Sequence, residues 1–300
     1  MLLNQQSHRD ASQSAIPQGR FAVSNQQSLL AAIVLTKNEE RHIGECLGSL
    51  AWAERRVVVD SFSTDRTCDI AREHGAEVLQ HPFSDYAAQR NAALDAVEAE
   101  WIFFVDADER ATPELAEEIR GIAGVEALAG LPVTDPAKAS TPEDGSGEIV
   151  GWNVPRQNYL FGKLTRGAGY WPDYQMRLLK RGHARYDRPA SEIVVLDGPA
   201  GDLQHPLIHY NYETIAQFRA KQTFRIDFEA LNLYRRGEKC KFYSPYYMTL
   251  KHFWWRFVTL KGYQDGRHGL RLSLLLAYYF GYRYYRRLGQ LYRSGQQFSI

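Results

Sequence analysis

The sequence predicts a doubly wound, mostly parallel α/β sheet, followed by a helical, aromatic and basic C-terminal extension. Three observations carry that reading. Apolar runs of strand length alternate with stretches at helical spacing, the pattern of βαβ units with right-handed crossovers. Those runs are apolar at nearly every position, as in a sheet covered on both faces. The chain has 300 residues and is 44% hydrophobic, so it can bury a core, and its length fits one large domain with an appendage.

The elements follow in order. Residues 1–28 are rich in Gln and Ser and contain no apolar h-region, which argues against a signal peptide and predicts a disordered leader. "LLAAIVLT" (29–36) is the first strand, and "ERHIGECLGSL" places Ile43, Cys46, Leu47 and Leu50 on one helical face. "RRVVVD" (55–60) is a second buried strand; "SFST" reads as an N-cap stretch before the helical "DRTCDIAREHG", closed by Gly75. "AEVLQ" is a short third strand. "SDYAAQRNAALDAVEAE" is a helix capped by Ser84, and "WIFFV" is the fourth strand. From 130 to 148 the composition turns to Pro, Gly, Ser and Asp, marking a loop or linker, and 150–210 supplies the remaining strands with their loops.

This gives a domain over 29–235, with one half at 29–125 and a second at 150–235, then a helical region at 236–300. Charge divides the chain in a similar way. From Arg235 to Ile300 there are 13 Lys or Arg against 2 Asp or Glu, so this tail carries +11 while the whole chain carries +1, leaving about −10 for the rest. An acidic body and a basic tail are suited to different partners. Cys46, Cys68 and Cys240 form no C-x-x-C pair, so neither a disulfide framework nor a zinc site is indicated, and a reducing cytosol is the simplest setting.

In open α/β sheets, ligands sit outside the carboxyl ends of the strands. Those ends carry Thr36, Asn38 and Glu39, then Asp60 and Ser61, then Asp106 and Asp108 in "WIFFVDADER". Neither G-x-G-x-x-G nor G-x-x-x-x-G-K-[ST] follows the first strand, so phosphate is held by other means. Two carboxylates two residues apart at a strand end can hold Mg²⁺ or Mn²⁺, which joins protein carboxylates to substrate phosphate oxygens. Taken alone, "DADER" also reads as a solvated turn that caps the helix in "TPELAEEIR".

"TKNEERHIGECLGSL", "VVVDSFSTDRT", "DYAAQRNAAL" and "WIFFVDADERATPELAEEI", in this order, resemble the nucleotide-sugar half of family-2 inverting glycosyltransferases of the GT-A, Rossmann-like fold. "NYLFGK", "YWPDYQMRLLKRG" and "HPLIHYNY" resemble the lipopolysaccharide core glucosyltransferase subgroup, and the resemblance spans roughly residues 29–290. It implies a hexosyltransferase that moves sugar from a nucleotide-diphospho-sugar, a UDP-sugar, to a glycolipid or lipid-linked glycan with help from Mn²⁺ or Mg²⁺. It further implies that Thr36, Asn38 and Glu39 contact the nucleoside, that Asp60, with Ser61 beside it, reads the base, and that Arg90 lies near the diphosphate. By the same resemblance, Asp106 and Asp108 would bind ribose and the metal-diphosphate, with both as metal ligands.

Inverting transfer is an in-line displacement, so a carboxylate must take the acceptor hydroxyl's proton from the face opposite the leaving group. Glu192, in "RPASEIVVLDG", is the first candidate by resemblance, although Ser191 stands where relatives of the subgroup often carry His. Asp173, in "YWPDYQMR", is the second, and it also reads as a turn cap after Pro172. Arg177 reaches the diphosphate or pairs with a neighbouring acid. His209 matches a family position, whereas His205 and His209 lack zinc-ligand company. Tyr159, Phe161, Tyr170 and Trp171 suit the apolar faces of a sugar or a core.

In the tail, the longest charge-free stretch, 272–282, has 11 residues, short of the roughly 20 that span a bilayer. Basic helices with Trp and Tyr suit the surface of an anionic membrane, here its cytoplasmic face. Packing on the domain, or between two copies of the chain, is the other use for so much apolar surface; no nucleic-acid motif accompanies the charge. The rival activities are a sugar nucleotidyltransferase, which would carry a Gly-rich loop after the first strand, and a nucleotide-sugar-binding regulator without turnover.

Overall fold

The computed structural model describes residues 28–125, 147–187 and 193–294. The leader expected at 1–28, apart from Ser28, and the linker expected at 130–148, apart from its last two residues, lie outside them.

β1 (Ser28–Thr36), β2 (Arg55–Asp60), β3 (Glu77–Gln80) and β4 (Ala99–Asp106) form a parallel sheet in the order β3-β2-β1-β4. Its strands are the apolar runs of the sequence. Alternate residues serve opposite faces, so Leu30, Ala32 and Val34 enter one core cluster while Ala31 and Ile33 enter another. Both faces are covered, as the continuous apolar pattern requires. The connections are α1 (Ile43–Ser49), α2 (Thr67–Glu73) and α3 (Tyr86–Ala96).

Two caps differ from expectation. The cap of α3 is Asp85, which accepts from Ala88 N at 2.8 Å, and not Ser84; a carboxylate at this place also faces the positive end of the helix dipole. "SFST" does not cap α2. Ser63 bonds Asp60 instead, and Asp65 takes the first N–H of the helix from Thr67. α4 (Pro113–Ala123) starts with Thr112 accepting from Leu115 N and Pro113 in its first turn, and ends at Gly124, whose φ of 69° suits a residue without a side chain.

Beyond β4 the sheet becomes mixed. β5 (Glu109–Ala111), β6 (Gly151–Leu160), β8 (Tyr174–Lys180) and β12 (Leu207–Tyr212) extend it in the order β4-β8-β6-β12-β5; β7 (Lys163–Leu164) and β11 (Ala200–Asp202) pair with β6, completing a 10-stranded sheet. β8 is antiparallel to β4 and β6, β12 runs parallel to β6, and β5 is antiparallel to β12. β9 (Ala184–Asp187) and β10 (Ile193–Leu196) form a separate hairpin. The register of β12 sets His209 opposite both Asn158 of β6 and Glu109 of β5. Residues 106–109, 158 and 209, far apart in sequence, therefore meet at one end of the sheet.

α5 (Ile215–Arg235) opens with a capping box between Thr214 and Gln217. α6 (Ser244–Trp254) runs into a π-helical turn, and α7 (Gly266–Leu276) continues through another, Ala277–Arg283, into α8 (Tyr284–Ser294). No helix among the described residues is long and apolar enough to cross a membrane. The inner face of this region packs on the body: Leu272, Leu276, Tyr279 and Tyr284 join Leu160, Tyr212 and Phe218 in a third core cluster. Packing on the domain, one of the uses expected for the tail, is thus realised on that face. Its outer face is another matter, with Phe242, Leu250 and Trp254 exposed.

Candidate active site

The carboxyl ends of β1, β2 and β4 open onto a groove of three connected hollows. The first, about 190 Å³, is lined by Leu35, Thr36, Lys37, Ser61, Phe83, Tyr86 and Gln89. The second, about 540 Å³, shares Leu35 and Tyr86 with it and adds Glu39, Asp106, Asp108, His209, Lys221 and Arg225. The third, about 590 Å³, shares Arg90, Asp106 and Arg156 with the second and is bounded by Asn153, Gln175, Arg177, Tyr186, Ile193 and Val194.

At the first hollow, Thr36 and Ser61 line the wall, while Asp60 is wholly enclosed and lines none of the three. Thr36 Oγ1 donates to Asp60 Oδ1 at 3.2 Å, Ser63 N to Oδ2 at 2.9 Å and Gln80 Nε2 to Oδ2 at 3.4 Å. Burial pushes the Asp60 carboxyl up, but the Ser63 donors outweigh it and leave the group below its usual range. The expectation that Asp60 reads a base directly does not match this placement; its carboxylate anchors the loop after β2. Asn38, at a φ of 57°, links the loops after β1 and β2: its N–H donates to Ser63 Oγ and its Oδ1 accepts from Thr64 N, each at 2.8 Å.

Asp106 is committed to arginine. Arg177 grips it with two bonds, Nη1 to Oδ1 at 3.2 Å and Nη2 to Oδ2 at 2.6 Å, and Arg90 Nη2 reaches Oδ1 at 3.2 Å. Arg177 Nη2 also reaches Glu109 Oε1 at 2.7 Å, and Glu109 Oε2 accepts from Asp106 N. Arg156 continues the chain, bonding Glu109 at 3.2 Å and Asp173 at 2.7 Å. Three guanidinium groups thus face three carboxylates. Burial raises the Asp106 carboxyl, yet the charges of Arg177 and Arg90 prevail and hold it far below the ordinary range. Asp173 follows the same rule: burial raises it, and Arg156 with donors from Asn158 and Gln175 brings it below. Among the described residues, three of its four donors converge on Oδ2, and its basicity is reduced, which disfavours it as a proton acceptor.

Outside this neutral network, the second hollow holds Glu39, Asp108 and His209. Burial and then the Asp108 and Asp65 charges push Glu39 up to about 7. His209 Nε2 lies 3.5 Å from Asp108 Oδ2, and His209 Nδ1 lies 2.7 Å from Asn158 Oδ1. Asn158 spends its amide donors on Tyr170 O and Asp173, so its oxygen accepts and His209 Nδ1 carries the proton. In the neutral ring, Nε2 then presents a lone pair to a carboxylate.

Of the expected residues, Thr36, Glu39, Ser61, Arg90, Asp106, Asp108, Arg177 and His209 line one groove, while Asp60 lies behind it and Asn38 lines none of its hollows. Asp173 stands at the rear, bonded to Arg156, and Glu192 lies outside the described residues. Phe83, Arg156, Lys221 and Arg225 line or support the groove and lie in none of the motifs, whereas Tyr86, Glu109 and Asn158 fall within "DYAAQRNAAL", "WIFFVDADERATPELAEEI" and "NYLFGK" without having been singled out. A hint exists for two of them: Lys221 and Arg225 are four apart on α5 and so share a face. Tyr159 packs at a tilt against Tyr210, and Phe161 and Tyr170 pack with the third core cluster, so these rings serve packing, while Trp171 is exposed.

Residues 31–162 match the model of glycosyl transferase family 2. Over 269 residues the chain is 29% identical to the lipopolysaccharide core biosynthesis glycosyltransferase LpsC of Rhizobium meliloti (strain 1021), covering 83% of this chain and 90% of that protein. The chain carries a family-2 glycosyltransferase domain. This glycosyltransferase is also 38% identical over 94 residues to an uncharacterized glycosyltransferase of Rickettsia bellii, covering 31% of this chain and 32% of that one. Among solved structures, it is similar to S. aureus TarS 1–349 in complex with UDP-GlcNAc, with 14% identity, a TM-score of 0.42, and 90% and 93% of the two chains covered. A crystal structure of glucosyl-3-phosphoglycerate synthase from Mycobacterium tuberculosis with Mn²⁺, uridine diphosphate and phosphoglyceric acid aligns with 19% identity and a TM-score of 0.31 over 43% of each chain. These overlaps are loose, and the fold of the glycosyltransferase rests on its own strand order.

Proposed function

We propose that the groove binds a nucleotide-diphospho-sugar, a UDP-sugar, and transfers its sugar with inversion to a glycolipid or lipid-linked glycan at an anionic membrane surface. The observation that carries this reading is the second hollow, where Glu39, Asp108 and His209 face Lys221 and Arg225 at the strand ends. The small first hollow, edged by the rings of Phe83 and Tyr86, takes the base. Lys221 and Arg225 meet the diphosphate, and the third hollow takes the sugar and the acceptor. The acceptor class follows the resemblance to the core-glycosyltransferase subgroup.

Two residues of the second hollow, Asp108 and His209, have the donor chemistry for a divalent cation, although among the described residues no group of three or more His, Cys, Asp or Glu side chains is arranged to hold one. His209 Nε2 lies 3.5 Å from Asp108 Oδ2, and Asn158 holds the ring through Nδ1 as partners of metal-bound His commonly do. Asp108 and His209 would hold the ion, Asp106 being committed to Arg177 and Arg90. This departs from the expectation that Asp106 and Asp108 form the metal pair. A cation there supplies charge stabilisation to the leaving diphosphate. Glu192 remains the proposed base, since Ile193, the next residue, lines the third hollow.

Glu192→Gln keeps the shape of the side chain but accepts no proton, and turnover of donor and acceptor should fall by roughly 10² to 10⁴ while donor binding persists. Normal turnover in Glu192→Gln together with loss in Asp173→Asn would move the role to Asp173.

A further inference from the structure

We propose that the cleft between α6 and α8 binds the phosphate of an anionic lipid headgroup. The inference rests on the membrane-surface reading above and narrows it to one site. The cleft measures about 280 Å³, and its lining includes Lys241, Arg286 and Arg293 but no carboxylate. Arg286 Nη1 donates to Tyr282 Oη at 2.9 Å, and its guanidinium lies 5.7 Å from that ring's centroid. These contacts orient the fork without neutralising it, leaving donors suited to phosphate. Gly289 keeps the floor open, since a Cβ there would lie 3.3 Å from Cys240 Sγ. Arg293 faces the same cysteine: burial pushes the Cys240 thiol up, and the Arg293 charge opposes it.

The surroundings select the class of ligand. Tyr246, Leu250 and Trp254 recur every fourth residue along α6 and so share a face, and Phe242 leads into the stripe; they are 64%, 71%, 64% and 90% exposed. Tyr246 belongs to both stripe and cleft, its ring 5.8 Å from that of Tyr282. A basic cleft alone would accept any phosphate. A cleft at the head of an exposed aromatic and apolar stripe matches an amphiphile, whose phosphate enters the cleft while the stripe sits at the acyl boundary. Inorganic phosphate gains nothing from the stripe.

The test floats the full chain with phosphatidylcholine vesicles carrying phosphatidic acid. Intact protein is compared with Arg286→Gln/Arg293→Gln and with Arg267→Gln/Arg271→Gln, which removes equal charge from α7. At about 1 kcal/mol per cation, diffuse attraction alone costs either variant about thirtyfold. The site predicts that the first variant loses about tenfold more than the second, the worth of one charge-assisted hydrogen bond. Equal losses assign binding to diffuse charge and overturn the site; failure of the intact chain to float overturns the membrane reading with it. In a second arm, dihexanoyl phosphatidic acid below its micelle-forming concentration should slow maleimide labelling of Cys240 and leave Cys68 unchanged. Unchanged labelling of Cys240, or equal slowing by inorganic phosphate, overturns the lipid assignment. Donor turnover in solution uses neither arm, so failure of the catalytic reading shows separately.

Discussion

The groove and the C-terminal helices both concentrate arginine, and they treat it in opposite ways. In the groove, Arg90, Arg156 and Arg177 each face a carboxylate from another element, and the six groups balance. In the helices, Lys241, Arg267, Arg271, Arg286 and Arg293 enter no ion pair among the described residues. The difference follows from solvent. A charge removed from water is costly unless an opposite charge and hydrogen bonds meet it inside the fold, whereas an exposed cation needs no internal partner and stays available to an external one. Buried charge in the groove is met inside the fold; exposed charge on the helices is left for an external partner.

The sharpest way to break that contrast is to remove the centre of the groove's network. Arg177, 4% exposed, is the group shared by Asp106 and Glu109. Arg177→Met leaves both carboxylates facing a thioether, and the cost should be about 3–5 kcal/mol in denaturant unfolding. A loss below about 1 kcal/mol would mean that water already reaches the network. A smaller effect tests the seat of the tail. At Gly281 a Cβ would lie 2.5 Å from the backbone N and Cα of Thr249 on α6, so Gly281→Ala forces the helices apart and should cost about 1–3 kcal/mol, the range for overpacking. An unchanged thermal midpoint would show that α6 moves freely on the π-helical turn.

pH separates the groups inside the groove. Asp106 and Asp173 are held below the usual carboxylate range, so the stability they contribute is present above pH 3.8 and is lost as pH falls through their folded values. Glu39 has the reverse sign. Its folded value of about 7 exceeds the ordinary 4.5, so its protonated form favours the fold, and that contribution is lost as pH rises from 4.5 through 7. Asp108→Asn removes a charge that holds Glu39 up, and the Glu39 titration followed by carboxyl NMR should move below about 7. No movement would show that the Asp108 charge does not reach Glu39.

How much of this was legible in the sequence depends on the range of the contact. The four parallel strands and the polar ends of β1, β2 and β4 could be read locally, because burial on both faces writes a continuous apolar run. The cap of α3 was misplaced by one residue because Ser84 and Asp85 are both good caps, and only backbone geometry chooses between them. The pairing of Asp106 with Arg177 spans 71 positions, and nothing in "YWPDYQMR" announces it. Likewise, the meeting of Asp108 with His209 depends on β12 lying beside β5, a neighbourhood set by strand order rather than by any motif. Asp60 misled for a related reason: a carboxylate closing a "VVV" strand does need a partner, but Thr36, Ser63 and Gln80 supply it.

In the proposed reading, Asp108 and His209 would hold a cation that in turn holds the donor's diphosphate. Calorimetric titration of UDP into the full chain, with and without Mn²⁺, tests it in the intact protein and in Asp108→Asn. Among the described residues, Asp108 has only His209 within ion-pair distance, so the substitution should leave stability within about 0.5 kcal/mol, as for changes outside buried networks. Mn²⁺ is expected to tighten UDP binding to the intact chain and to leave binding to Asp108→Asn unchanged. UDP affinity that responds equally to Mn²⁺ in both proteins, or in neither, would contradict the account.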